Sequence, residues 1–123
     1  NEFSLRRLAA VVMDSNDAIT LQDPDGTITA WNHGAERLYG YTEKEALGMS
    51  IEQIIPDELV DDHLKLINQI RESGTIKARE TRRLTRDGKG INIHLTMNRL
   101  NDDQGRFIAV ATTEREIDLD SRQ

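Results

Sequence analysis

His63 is the residue whose type and position best suit chemistry in this chain of 123 residues. It lies between Leu59 and Ile67, one helical turn from each, on the apolar face of a predicted helix. A neutral imidazole can ligate a metal ion. A lone histidine on an apolar face is more often a hydrogen-bonded part of the core. The sequence leaves both interpretations open.

A basic stretch follows that helix and contains Lys77, Arg79, Arg82, Arg83, Arg86 and Lys89. It could be an exposed strand whose charges discourage edge pairing. Alternatively, the side chain of one arginine, Arg79 or Arg83, could point into a pocket and bind a carboxylate, because arginine favours bidentate contacts with that group. The net charge of −6 argues against nucleic acid, the third interpretation, since phosphate-binding surfaces normally need a basic excess.

Other candidate chemistry is weak, and we predict no catalytic residue, no enzyme activity and no metal site apart from one at His63. In Asp61-Asp62-His63, adjacent positions on a helix point in different directions, so the three side chains do not easily share one ion. The serines have no recognisable base near them, and no glycine-rich phosphate loop is present. The chain has no cysteine, which excludes disulfides, thiolate nucleophiles and cysteinyl cofactor adducts.

Length and composition indicate one soluble domain. No apolar run approaches the roughly 20 residues of a membrane span, and no signal peptide is visible. We therefore expect a cytoplasmic domain without direct membrane contact, which leaves a membrane-anchored parent protein open. The chain begins at Asn1 without a methionine, which indicates a piece of a longer protein.

An amphipathic helix is predicted from about Ser4 to Met13, because Leu5, Leu8, Ala9 and Val12 share one face. Its apolar stripe must cover a sheet or a partner.

A β-hairpin follows, turning at Asp23-Pro24-Asp25-Gly26. If Ile28 and Ala30 face a helical pocket, alternation places Trp31 on the outer side, beneath the N-terminal helix. Asn32 then ties the strand end to a helical turn through its amide, and ligand contact is its minority role.

The remaining elements complete an α+β arrangement. Short helices follow Asn32; Thr42 to Glu45 forms a capping box, and Ser50 with Gln53 repeats it. A longer helix runs from about Asp57 to Ser73, with Leu59, His63, Ile67 and Ile70 on one face, and Gly74 ends it.

Three strands then run from Ile76, Ile91 and Phe107, the last suited to the sheet centre. The charged residues from Glu114 onwards are interpreted as leading into a linker. The predicted boundaries are 1–13 for the flanking helix, 14–118 for the domain and 119–123 for the linker.

The order and the residues together resemble the PAS domain family. The resemblance is carried by DPDGTITAWNHGAERLYGYTEKEALG, IIP at Ile54 to Pro56, RDGKGINIHL and FIAVATTEREID. It implies a five-stranded antiparallel sheet that cups a small pocket against the helices. It also implies a sensor or dimerisation module fused to a histidine kinase, a cyclic-dinucleotide enzyme or a chemoreceptor.

The resemblance also suggests where a ligand would bind. In heme-binding PAS domains, a histidine at the place of His63 ligates iron, and an arginine at the place of Arg79 accompanies it. Tyr39 and Tyr41 lie near the pocket wall in the family pattern. The light-sensing flavin class uses a cysteine, so only a non-covalent flavin fits this chain. The candidate pocket residues are His63, Arg79, Tyr41, Asn32, Arg83 and Ile67, and the pocket could also hold no cofactor at all.

Two functions are therefore expected from the sequence. The first is a sensor that binds a small molecule in the pocket and biases a fused effector. The second is a homodimerisation module without a ligand, built from the N-terminal helix and the outer face of the sheet. A heme-based gas or redox sensor acting through His63 is a minor third hypothesis.

Overall fold

The chain is described by a computed structural model over residues 16–117, without the side chain of Lys77. The predicted helix at 4–13 and the predicted linker at 119–123 lie outside the described residues. The five strands are β1 (Ala18–Gln22), β2 (Ile28–Trp31), β3 (Thr75–Leu84), β4 (Gly90–Asn101) and β5 (Phe107–Glu116). They form one antiparallel sheet in the order β2-β1-β5-β4-β3.

The helices lie between β2 and β3 in the sequence, as predicted. They are α1 (His33–Tyr39), α2 (Glu43–Ala46), two 3₁₀ turns (Ile51–Ile54 and Asp57–Leu59) and α3 (Val60–Ser73). The second 3₁₀ turn leads directly into α3. The α+β class with five antiparallel strands is confirmed. So is the central position of the last strand, because β5 lies between β1 and β4.

Local capping signals set several boundaries. Thr42 and Glu45 form the predicted capping box, with the Thr42 hydroxyl accepting from the backbone of Glu45. Gly74 ends α3 with φ 94°, a left-handed conformation that glycine adopts without strain. The predicted second capping box is wrong, because Ser50 caps its 3₁₀ turn alone, accepting from the backbone N–H of Glu52.

The predicted orientation of Trp31 is also wrong. β1 and β2 pair Leu21 with Ala30 but Gln22 with Ile28, so Thr29 is an extra residue in β2. This bulge shifts the alternation by one position. Ile28 and Trp31 therefore both face the helices, and both are buried. The Trp31 ring packs against Tyr39, and its Nε1 donates to the carbonyl of Tyr41.

The core lies between the inner face of the sheet and the helices. Strand β4 supplies it by strict alternation, as predicted, through Ile91, Ile93, Leu95 and Met97. Helix α3 contributes His63, Leu66 and Ile70. The sequence placed Leu59 and Ile67 on this face, and the structure leaves both half-buried while Leu66 is buried instead. β3 is an edge strand and exposes Arg79 and Arg82.

Candidate functional site

A cleft of about 390 Å³ separates helix α3 from the edge strand β3. His63, Leu66 and Gln69 form its helical wall, and Arg79, Thr81 and Arg83 form its strand wall. Two of these six side chains, His63 and Arg83, are buried although they are polar. The spacing of the residues follows from the two elements. Alternation along β3 puts Arg79, Thr81 and Arg83 on one face, and the helical repeat stacks His63, Leu66 and Gln69.

His63 occupies the inner end of the cleft and is only 4% exposed. Its Nδ1 has no hydrogen-bond partner within residues 16–117. Burial, and then the positive charge of Arg83, lower the pKa of His63 to about 4. The imidazole is therefore neutral at pH 7, with one ring nitrogen available to a ligand.

Arg83 lies next to His63 and is equally buried. Its Nη1 donates to the carbonyl of Arg82 at 3.0 Å and to the Thr81 hydroxyl at 3.4 Å. Its Nε lies 3.9 Å from Oε1 of Glu114, which is an ion-pair distance but too long for a hydrogen bond. In the described part of the chain, that Nε has no hydrogen-bond partner.

Glu114 is the buried acidic partner of this group. It accepts hydrogen bonds from the Tyr39 hydroxyl at 2.8 Å and from the Thr112 hydroxyl at 3.3 Å. Thr112 in turn shares a 2.6 Å hydrogen bond with Thr20. Burial raises the pKa of Glu114, although the Arg83 charge and the two hydrogen bonds act in the opposite direction. Burial also raises the pKa of Tyr39, and the negative charge of Glu114 adds to that effect.

Gln22 completes the polar interior from strand β1. It is 1% exposed, and its Nε2 has no hydrogen-bond partner among the residues that the structure describes. With His63 and Ile67 it lines a second, smaller cavity of about 40 Å³. His63 lines both spaces, so its ring lies between the cleft and the cavity beside Gln22.

A family model described as a PAS domain matches residues 16–118. The chain belongs to the PAS domain family. It is 31% identical over 98 residues to the biofilm dispersion protein BdlA of Pseudomonas aeruginosa, covering 78% of this chain and 23% of that protein. It is 22% identical over 120 residues to the oxygen sensor protein DosP of Escherichia coli, covering 94% of this chain and 14% of that protein. The chain thus spans less than a quarter of either relative.

The fold of this PAS domain also matches solved structures. A crystal structure of the PAS domain of a protein from Colwellia psychrerythraea superposes with a TM-score of 0.87 at 24% identity. The match covers 93% of this chain and 97% of that one. The chain is therefore a PAS sensory module, as the resemblance implied.

Four of the six candidate pocket residues lie together in this PAS domain. His63, Arg79 and Arg83 line the cleft, and Ile67 lines the adjoining cavity. Tyr41 lies outside both linings, where its ring meets the edge of Trp31 with centroids 6.4 Å apart. Asn32 also lies outside them. The binding role of all six remains a prediction.

Asn32 performs the structural role predicted for it. Its Oδ1 accepts from the backbone N–H groups of Ile19 and Ala35, and its Nδ2 donates to the carbonyl of Asp17. These bonds cap α1 and tie it to the start of β1.

The interpretation of Glu114 as the start of a linker is wrong. Strand β5 continues to Glu116, and Glu114 is 2% exposed. Gln22 was not predicted to contribute to the site either. The available signal was alternation: Gln22 shares a face of β1 with Ala18 and Thr20, and Glu114 shares a face of β5 with Val110 and Thr112.

Heme fits this PAS domain poorly, even though His63 offers a buried imidazole. An iron-ligating histidine normally donates its other ring N–H to a carbonyl or carboxylate, and no such partner of Nδ1 exists in the described residues. The cleft is also polar, since Leu59 and Leu66 are the two apolar side chains in its lining. Strand β3 starts at Thr75, directly after Gly74, so no loop widens the space.

Residues 16–117 contain no cluster of three or more histidine, cysteine, aspartate or glutamate side chains placed to hold a metal ion. None of the helices in that range has the length and apolar character needed to cross a membrane.

Proposed function

We propose that this PAS module is a sensor that binds a small molecule in the cleft between α3 and β3 and thereby biases a fused effector. Histidine kinases, cyclic-dinucleotide enzymes and chemoreceptors are the candidate effectors. The PAS module itself does no chemistry in this proposal, and it works in the cytoplasm. The ligand contacts His63, Arg79 and Arg83, and it reaches Ile67 through the adjoining cavity.

One observation carries the proposal. Two buried side chains that line the cleft, His63 and Arg83, each hold a polar atom without a partner in the described part of the chain, and so does Gln22 in the smaller cavity on the other side of His63. Leaving one such atom unsatisfied costs about 1–3 kcal/mol. A bound molecule that supplies the missing hydrogen bonds recovers that free energy. The same atoms would serve no purpose in a module that only dimerises.

The position of Arg83 suggests how binding would be transmitted. Arg83 lies on the edge strand, and its ionic partner Glu114 lies on the central strand, which also holds the Tyr39 hydroxyl of α1. A ligand that binds Arg83 competes with Glu114 for its charge. Binding therefore changes the contacts between β3, β5 and α1, and a ligand with different affinity for two such states shifts their populations.

The test is an NMR titration of the ¹⁵N-labelled chain against a library of small metabolites. We expect at least one compound to shift the backbone amide signals of His63, Thr81 and Arg83 together. Gln69→Trp fills the mouth of the cleft with a bulky ring and should abolish the shifts. Glu72→Trp is the matched control, because Glu72 is exposed on the same helix and does not line the cleft. Shifts that survive Gln69→Trp would place the binding elsewhere.

A second candidate function is homodimerisation, and the outer face of the sheet favours it. Ile19 pairs with Thr113 and Leu21 with Ala111, so these residues share that face. Ile19, Leu21 and Ala111 are half-buried there. The N-terminal helix predicted at 1–13 would join this face in the dimer. Sizing the chain with and without residues 1–13 tests the interface, since an unchanged oligomer would exclude the helix from it.

The heme hypothesis rests on the buried imidazole of His63 and has its own test. An absorbance scan of the purified protein would show a Soret band if heme were bound. A non-covalent flavin would give a band at about 450 nm. We expect neither band, because the cleft lining is mostly polar and charged.

A further inference from the structure

We propose that the ligand of this cleft is a small organic carboxylate with a short apolar body. This inference rests on the proposed sensor function and names its ligand class. It is drawn from the unpartnered donors in the interior, the charges of the cleft lining and the size of the space.

The unpartnered atoms in the interior are hydrogen-bond donors, so a ligand that satisfies them must supply acceptors. Nε of Arg83 and Nε2 of Gln22 can only donate hydrogen bonds, and both lack an acceptor among residues 16–117. The neutral imidazole of His63 can donate as well, through whichever ring nitrogen carries its proton. A ligand that brings only donors to the cleft would leave Arg83 unsatisfied. Arg83 and His63 line the same cleft, and a ligand with two acceptor oxygens on one carbon, which is the geometry of a carboxylate, can accept from both.

The charge of the cleft favours an anion over a neutral acceptor. Four cationic side chains and two acidic ones line it, although the whole chain carries a net charge of −6. Arg82 is engaged with Glu58 at 2.8 Å, which leaves Lys65 and Arg79 on the walls of the mouth. A cationic cleft in an acidic protein raises the local concentration of small anions.

Glu114 leaves one edge of the Arg83 guanidinium open. Nε of Arg83 lies 3.9 Å from Oε1 of Glu114, and Nε makes no hydrogen bond to Glu114. The oxygens of Glu114 are instead engaged by Tyr39 and Thr112. The charge of Arg83 is therefore partly balanced, while its buried Nε–H has no hydrogen-bond acceptor among residues 16–117.

Size and lining limit the rest of the ligand. A cleft of about 390 Å³ is at the small end of ligand pockets, which span about 300–1,000 Å³. Leu59 and Leu66 offer an apolar surface beside the charged end. The ligand that fits has one carboxylate at the Arg83 end and a short aliphatic chain or a single ring against the two leucines.

The experiment compares acids with their neutral amides on the full chain of 123 residues. The probes are butanoate, benzoate and phenylacetate, each against its amide, titrated while ¹⁵N-amide shifts are followed. We expect at least one acid to bind about tenfold or more tightly than its amide, with the largest shifts at His63, Thr81 and Arg83. This comparison uses the unmodified protein and does not depend on any variant folding.

Single arginine-to-glutamine variants then identify which positive charge of the cleft binds the carboxylate. Arg83→Gln should weaken acid binding about tenfold or more and leave amide binding unchanged. Arg79→Gln, at an exposed position that folds safely, should weaken it less. Arg106→Gln is the control, because Arg106 lies in the turn before β5, pairs with Asp102 and does not line the cleft.

The outcomes separate the two proposals. If amides bind at the cleft as tightly as acids, the carboxylate assignment is overturned and the sensor proposal stands. If neither series binds, the carboxylate assignment is also overturned, and the metabolite library decides the sensor proposal independently.

Discussion

Gly34 shows how tightly this domain packs at the scale of a single residue. It lies in α1, directly beside the segment that enters β1. A Cβ atom added there would lie 2.2 Å from the carbonyl oxygen of Asp17, a backbone atom that cannot move aside cheaply. The hydrogen bonds of Asn32 to Asp17 and Ile19 hold the two segments at this distance. Only a residue without a side chain fits between them.

We predict that Gly34→Ala lowers the free energy of unfolding by about 1–3 kcal/mol, the usual range for overpacking. Urea unfolding followed by circular dichroism measures the change. Gly90→Ala is the control, since nothing lies within 4 Å of a Cβ atom at Gly90 and its φ is not positive. That variant should stay within about 0.5 kcal/mol of the parent chain. Equal effects of the two variants would contradict the close approach at Asp17.

His63 predicts a pH dependence of stability. Its pKa in the folded protein is lowered to about 4 from an ordinary value of 6.5, so the unfolded chain binds the extra proton first. Stability is therefore fully present above pH 6.5 and falls as the pH drops toward 4. A shift of this size corresponds to roughly 3 kcal/mol over that window. His63→Gln should flatten this part of the curve in urea unfolding at stepped pH.

The raised pKa of Glu114 changes stability with pH in the direction opposite to that of His63. Its raised pKa means that the folded protein holds a proton longer than the unfolded chain, so its contribution is lost as pH rises above 4.5. The difference between the parent chain and His63→Gln isolates the histidine, because Glu114 is present in both. A difference that does not change between pH 4 and 6.5 would show that His63 is not desolvated.

His63, Arg79 and Arg83 were picked out from the sequence, whereas Glu114 and Gln22 were not, because alternation indicates the face on which they lie but not the partners that they meet there. A histidine on an apolar face is a local signal. The burial of Glu114 depends on Tyr39 and Arg83, which are distant in the sequence. Without those partners a carboxylate in a charged stretch reads as solvated. The polar interior is built by tertiary pairing, and no short window contains it.

At the scale of elements, caps and turns were predictable because their chemistry is local. The capping box at Thr42, the end of α3 at Gly74 and the alternation of β4 all follow from neighbouring residues. The bulge at Thr29 does not. A bulge is defined by the register of two strands, and alternation within β2 alone placed Trp31 on the wrong face.

Asn32 and Thr42 provide a matched comparison of two helix caps. Each caps a short helix by accepting from its third residue, Ala35 or Glu45. Asn32 also bonds Ile19 and Asp17, and so joins α1 to β1. We predict that Thr42→Ala costs about 1 kcal/mol, and that Asn32→Ala costs at least about 1 kcal/mol more. Both are measured by urea unfolding, and equal costs would mean that the junction bonds contribute nothing.

At the scale of the whole molecule, the order of elements was sufficient to predict the sheet and its central strand. The core cluster is formed by residues from Ala18 to Val110, all inside the family match at 16–118. The helices pack against one face of the sheet, and the other face carries the half-buried apolar residues described above. The core that the structure describes over residues 16–117 thus lies within the boundaries of 14–118, which remain a prediction.

We predict that a chain trimmed to residues 14–118 still folds, because the trimming removes none of the core residues described within 16–117. Urea unfolding should remain a single cooperative transition with an unchanged slope, since the slope follows the surface exposed on unfolding. The full chain of 123 residues is the control. A broad, non-cooperative transition in the trimmed chain would show that residues 1–13 are needed to complete the fold.

The bulge at Thr29 also determines which part of the protein its tryptophan fluorescence is sensitive to. The chain contains a single tryptophan, and the bulge turns it inward, where Trp31 is 0% exposed. Its indole packs on Tyr39, whose hydroxyl holds Glu114 beside Arg83. The domain's single tryptophan thus lies one aromatic ring away from its buried charges. Its emission reads out the state of that interior in the unlabelled protein.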